Sequence, residues 1–163
     1  MDIRRKNDVL EQTLSRQLNF ISSAESKIAP IFVISTSMLA IFMALIPRAS
    51  EWNNKFIALT IFTVIPLAVS LLLLLVSIFP QLKGPIMSKI YFEGIISMGC
   101  EGFIKEMNEE TEERYFEDLC RQCHRNAEIA SRKYKIVRCS MISMFISVIP
   151  WLLIIYELYK VKY

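Results

Sequence analysis

The chain has 163 residues, of which 53% are apolar and 21% charged, and a formal charge of +3. That length holds one small domain, and its apolar residues are gathered into long runs, which excludes a soluble globule in favour of an integral membrane domain. The weak positive charge excludes a nucleic-acid polymer as the expected partner, because the Lys and Arg residues stand beside the apolar runs, where they act as topology determinants.

Residues 1–27 are polar and periodic, unlike a cleavable signal or transit peptide. Leu10, Leu14, Leu18, Ile21 and Ile28 fall along one helical face, with Asp8, Glu11, Arg16 and Asn19 opposite. The pattern predicts a cytoplasmic amphipathic helix that packs against another helix, since it lacks the Lys/Arg-rich, Trp-bearing character of a surface anchor. Pro30 then interrupts the helical pattern. Residues 28–47 give 20 uncharged positions, enough for a first span of about 30 Å.

Residues 48–55 form a link too short for anything but a turn between antiparallel spans, with Trp52 suited to the interface. Residues 56–82 then carry no charge across 27 positions, and the second span is placed at 56–79, closing a 28–79 hairpin. Pro66 lies inside it. Thr63, Ser70 and Ser77 recur every seven positions, with Thr60 on the same face. Such a stripe reads either as small contact residues for neighbouring helices or as a pore lining.

Residues 80–138 hold ten Lys/Arg and ten Asp/Glu and form the water-facing helical region. Beyond Gly84 and Pro85, the pattern Ile90, Phe92, Ile95, Ile96, Phe103, Met107 predicts a helix loosened by Gly94, Gly99 and Gly102, where another helix approaches. After an acidic turn at 109–113, in which Thr111 caps, a stronger period runs through Phe116, Leu119, Cys123, Ala127, Ala130, Tyr134 and Val137. Its steps of three and four define a narrow seam for a partner helix or a second copy. Residues 139–156 give 18 more uncharged positions, placing a third span at 139–159 with Tyr156, Tyr159 and Tyr163 near the far interface and a tail at 160–163. Ser140, Ser143 and Ser147 share a face on it, suited to meet the stripe on the second span.

Lys and Arg number five in residues 1–27, two in 48–55, ten in 80–138 and two after the last span. The positive-inside rule therefore places the N-terminus and 80–138 in the cytoplasm and the C-terminus outside. Arg132, Lys133, Lys135 and Arg138 reinforce this beside the third span, where anionic head groups lie within reach.

Cys120, Cys123 and His124 match the Cys-x-x-Cys-His spacing of covalent haem attachment. Such attachment needs an export compartment, whereas the charge count puts this segment inside, so a buried structural thiol is the better reading of Cys123. A zinc site would need Cys100 or Cys139 as a further ligand, and disulfides do not suit the cytoplasm. There is a single His, no phosphate loop and no nucleophile elbow, so no catalytic residue, no metal, no cofactor and no enzymatic activity are expected. What remains is a polar stripe: Tyr115, Asp118, Gln122, Arg125 or Asn126, and Lys133. It reads either as a solvated face with i,i+4 pairs or as a ligand site, in which amides and a carboxylate read a base edge, Arg and Lys meet a phosphate, and Tyr115 or Tyr134 stacks.

At these residues the sequence resembles the transmembrane effector family of Pycsar, the bacterial pyrimidine-cyclase antiphage system. The resemblance rests on Leu14, Gln17, Leu18, Ile21 and Lys27, on Tyr91, Phe92 and Ile95, and on a denser block. That block is Tyr115, Asp118, Leu119, Gln122, Asn126, Ala127, Ile129, Ala130, Lys133 and Tyr134. Cys123 departs from the larger aliphatic residue expected there, and Glu25 from an expected Asp. The resemblance covers nearly the whole chain. It implies an inner-membrane effector switched on by a cyclic mononucleotide, cCMP or cUMP, which a partner cyclase makes upon phage infection without needing to touch the effector. Activation would disrupt or permeabilise the membrane and kill the infected cell. A cyclic oligonucleotide signal, as in CBASS-type systems, and a ligand-free accessory membrane subunit are the alternatives. Three spans enclose little space, so a homo-oligomer in the lipid bilayer is expected.

Overall fold

A computed structural model describes residues 2–46, 53–79 and 88–160. The expectations for residues 47–52 with Trp52, for 80–87 with Gly84 and Pro85, and for Tyr163 lie outside the described residues. Five helices follow in order: α1 (Ile3–Glu25), α2 (Ile28–Leu45), α3 (Asn54–Ile78), α4 (Phe92–Asn108) and α5 (Glu112–Lys160). The all-helical class holds, with no strand among the described residues and three helices long and apolar enough to cross a membrane. Two compact units arise, one from residues 1–24 and 80–133, the other from 25–79 and 134–163, and α5 supplies residues to both.

In the second unit, Asn53 caps α3 by accepting the Phe56 N–H on its Oδ1 at 2.8 Å. Pro66 and Pro150 sit inside α3 and α5, which run on through them. One buried cluster joins Ile31 and Met38 of α2 to Leu67 and Leu74 of α3 and Val137 and Met144 of α5. A second joins Phe42, Phe56, Ile154 and Leu158, and Trp151 packs against both while its Nε1–H donates to the Met38 carbonyl at 3.0 Å. The outward faces stay apolar, with Phe62, Leu72, Phe145 and Ile149 exposed, as hydrocarbon solvent permits. The two hydroxyl stripes meet inside the bundle: Ser70 and Ser140 lie 2.9 Å apart through their Oγ atoms, Ser140 also reaches the Ser70 carbonyl at 3.0 Å, and Ser143 donates to the Pro66 carbonyl at 2.9 Å. Thr63 donates to the Leu59 carbonyl of its own helix, and Ser147 to that of Met144. Small side chains here let the helix backbones approach, and each hydroxyl that finds a carbonyl avoids being left unpaired in a lipid-surrounded core.

In the first unit, α1 lies alongside the first turns of α5, and the two run parallel. Arg4 Nε and Asn7 Nδ2 donate to Glu112 at 3.2 and 2.9 Å, Tyr115 donates to Glu11 at 2.8 Å, and the Cys123 thiol reaches the Leu10 carbonyl at 3.5 Å. Lys6 lies over the Phe116 ring. Thr111 starts α5, accepting the Arg114 N–H on its hydroxyl and the Tyr115 N–H on its carbonyl.

The buried faces differ from those the apolar pattern predicts. On α1, Leu18 is 52% exposed, and the inward line passes through Asn7, Leu10, Leu14, Gln17, Ile21 and Ala24. On α5, Ala127 is exposed and Tyr134 half-buried, while Asn126 and Lys133 are buried. Both helices are turned by about one residue, or about 100°, at these steps, placing polar side chains where the periodicity expects apolar ones.

α4 breaks at Gly99, whose φ of 67° and ψ of 169° belong to a region open essentially to glycine alone. Gly94 is approached not by another helix but by the turn that precedes its own. Ser88 Oγ accepts the Ile90 and Tyr91 N–H groups and donates to Asp118, and Asp118 also accepts the Lys89 N–H at 2.8 Å. Lys89 reaches on to Glu110 and, more weakly, to Glu106, which hold its ammonium above the ordinary lysine pKa. A Cβ on Gly94 would stand 2.1 Å from the Ser88 carbonyl oxygen. Gly94→Ala should therefore destabilise the first unit by about 1–3 kcal/mol, read as earlier amide exchange in residues 88–98 in detergent, whereas Gly102→Ala, which meets only Met98 at 3.6 Å, should not.

Candidate ligand site

The α1 and α5 faces of the first unit bury an uncommon number of amides. Asn7, Gln122 and Asn126 are buried, at 4%, 7% and 5% exposed, and Gln17 is half-buried. In this unit Asn7 Oδ1, Gln17 Oε1, Gln122 Oε1 and Asn126 Nδ2 are out of contact with solvent and have no hydrogen-bond partner among the described residues, as do the Ser35, Thr60 and Ser77 hydroxyls in the second unit. Carrying the Glu11–Tyr115 and Leu10–Cys123 pairings six and seven residues forward brings Gln17 level with residues 121–130, the stretch holding Gln122 and Asn126. One orphaned buried amide atom costs about 1–3 kcal/mol, and folding tolerates several together only where something else is gained.

The residues expected to form a site divide into two groups. Gln122, Asn126 and Lys133 are buried on the inward line of α5. Tyr115, Asp118 and Arg125 are engaged elsewhere: Tyr115 with Glu11, Asp118 with the 88–89 turn, and Arg125 with Glu128 at 3.0 Å. Tyr134 belongs to the second unit, where the Lys27 ammonium lies 5.2 Å from its ring centroid. Gln17 was absent from the expected ligand set. Its signal was a polar residue on an inward helical line three positions after Leu14 and four before Ile21, overshadowed by neighbouring Leu18.

The Cys-x-x-Cys-His segment is dispersed by its helix. Cys123 is buried, with burial pushing its thiol pKa up, Cys120 is half-buried, and the exposed His124 stands beside Glu128 at 3.8 Å. Among the described residues, no group of three or more His, Cys, Asp and Glu side chains converges as a metal site would require.

The family model of the Pycsar effector protein domain matches residues 9–158, almost the whole chain. The chain belongs to this family. The Pycsar effector described here is thus a membrane effector of a Pycsar antiphage system, which implies a cyclic nucleotide signal from a cyclase partner. No curated protein and no solved structure matches it. Within the effector domain, the matched region includes Gln17 and the buried amides of α5 and ends in the last buried turn of the third membrane-spanning helix.

Burial first, and then the hydrogen bond to Glu11, raise the Tyr115 phenol to about 12. The folded protein thus favours the neutral phenol, so the stability due to Tyr115 is complete below about pH 10, its ordinary pKa, and is lost as the pH rises through about 12. Absorbance titration of tyrosinate should show one late-titrating phenol that disappears in Tyr115→Phe, and the decline in thermal stability between pH 10 and 12 should become shallower in that variant.

Proposed function

We propose that this Pycsar effector is a homo-oligomer of the bacterial inner membrane. A cyclic pyrimidine mononucleotide, cCMP or cUMP, converts it from a closed bundle to a state that permeabilises the bilayer. It is not an enzyme and takes no cofactor. Its N-terminus and residues 80–138 face the cytoplasm, where the nucleotide is made, and its C-terminus faces the periplasm.

The observation that carries the reading is the set of orphaned amide atoms on Gln17, Gln122 and Asn126. Their carbonyl and amino groups complement the donors and acceptors on the edge of a pyrimidine, and the buried Lys133 further along α5 supplies positive charge for a cyclic phosphate. A pyrimidine between α1 and α5 would give those atoms the partners they lack and so favour one arrangement of the two helices over another. Tyr115 and Asp118 then act as holders, fixing α1 and the 88–91 turn to the same helix.

Purified protein in dye-loaded vesicles should release dye on addition of cCMP or cUMP. The absence of both leakage and binding with these nucleotides would sink the proposal. Gln122→Leu and Asn126→Leu should each raise the half-maximal nucleotide concentration about 10- to 100-fold, the loss of one hydrogen bond to a buried polar group. Because they remove an orphaned atom, the same variants should keep or raise thermal stability without ligand. Loss of stability with full retention of the response would assign these residues to folding alone.

A further inference from the structure

The first unit carries two exposed apolar stripes that nothing in the chain covers among the described residues, and they are opposite in charge. On α1, Val9 and Phe20 are 48% and 55% exposed and lie on one line with Arg5 and Arg16, turned away from the buried face. On α4, each half beside the Gly99 break repeats the same composition: Phe92 and Ile96 with Glu93, then Ile104 and Met107 with Glu101. Ile96 is 75% exposed. Among the described residues, none of Arg5, Arg16, Glu93 and Glu101 has an ion-pair partner within the chain.

We infer that the α4 stripe of one copy docks on the α1 stripe of the next, apolar residues against apolar residues and Glu93 and Glu101 against the arginines. Two different surfaces on one chain make a head-to-tail contact, which closes into a ring when the rotation per copy divides a full turn. The acidic flank of α4 argues against the bilayer as occupant, since an anionic membrane surface attracts Lys and Arg and repels carboxylates. Matching apolar area supplies affinity, while the opposed charges fix the register and disfavour self-pairing of like stripes. The proposal concerns assembly in the absence of nucleotide, so its test is independent of the leakage assay.

The exposed Cys100 lies on α4 between the two apolar pairs and provides a native probe. Oxidative cross-linking of full-length Phe20→Cys in native membranes without nucleotide should give a ladder of covalent multimers of this chain, and the ladder should vanish when Cys100→Ser is added. Arg16→Glu and Glu101→Arg should each reduce the cross-linked fraction at least several-fold, and the double reversal should restore it. A ladder indifferent to all four changes, or none at all, would overturn the proposal. So would adducts of Cys100 with a different protein, or protection of Cys100 from a soluble maleimide only by anionic vesicles, which would name another occupant.

Discussion

The architecture depends on one seam. From Leu119 to Leu158, α5 turns a side chain inward at alternating steps of three and four, the heptad interval that keeps one line facing the neighbours when helices wind gently around each other. In the second unit that line is Val137, Ser140, Met144, Ser147, Trp151, Ile154 and Leu158, alternating bulk that fills space with hydroxyls that permit close approach. In the first unit the same spacing brings in Leu119, Cys123, Asn126, Ala130 and Lys133. Heptad spacing sets which positions are buried, and chemistry varies along it.

Buried polar groups differ in whether they find a partner. Ser70, Ser140 and Ser143 find carbonyls or each other across α3 and α5, so the cost of burying them is offset on the spot. Asp118 likewise satisfies its oxygen with Ser88 and the Lys89 N–H, and this fixes the turn against which Gly94 must stay bare. Other buried polar atoms are left unmatched: the hydroxyls of Ser35, Thr60 and Ser77 in the second unit, and one amide atom on each of Asn7, Gln17, Gln122 and Asn126 in the first. Three of the first unit's four, Gln17, Gln122 and Asn126, stand on the inward lines of α1 and α5, where the ligand is proposed to bind.

Fold class and spans were legible because a bilayer admits so few solutions: runs of 18 or more uncharged residues must be helices, and the short link forces α2 and α3 to be antiparallel. Residue-level burial was less legible, and it failed in one way. Leu18 beside Gln17, and Ala127 beside Asn126, each supply an alternative inward residue one position away, and a reading by hydrophobicity chooses the apolar member. The fold chooses the other because the positions around them, Leu14 and Ile21 on α1, Cys123 and Ala130 on α5, fix the phase of the helix more strongly than one side chain can. Asp118 and Tyr115 were legible as important polar residues but not as structural ones, because Ser88 and Glu11, the groups that engage them, lie 30 and 104 residues away in sequence.

The orphaned amides of Gln17, Gln122 and Asn126 also set an energy scale. Moving a two-state equilibrium from 1:99 to 99:1 requires a ligand to prefer one state by about 5.5 kcal/mol. Three orphaned amide atoms at about 1–3 kcal/mol each are of that order, so the pyrimidine proposed above would suffice to move such an equilibrium if it gave all three a partner. Filling the same positions with leucine would make a more stable helix pair with nothing left for a ligand to gain. A sequence that keeps Gln17 and Asn126 inside while Leu18 and Ala127 are exposed has given up stability at these two positions.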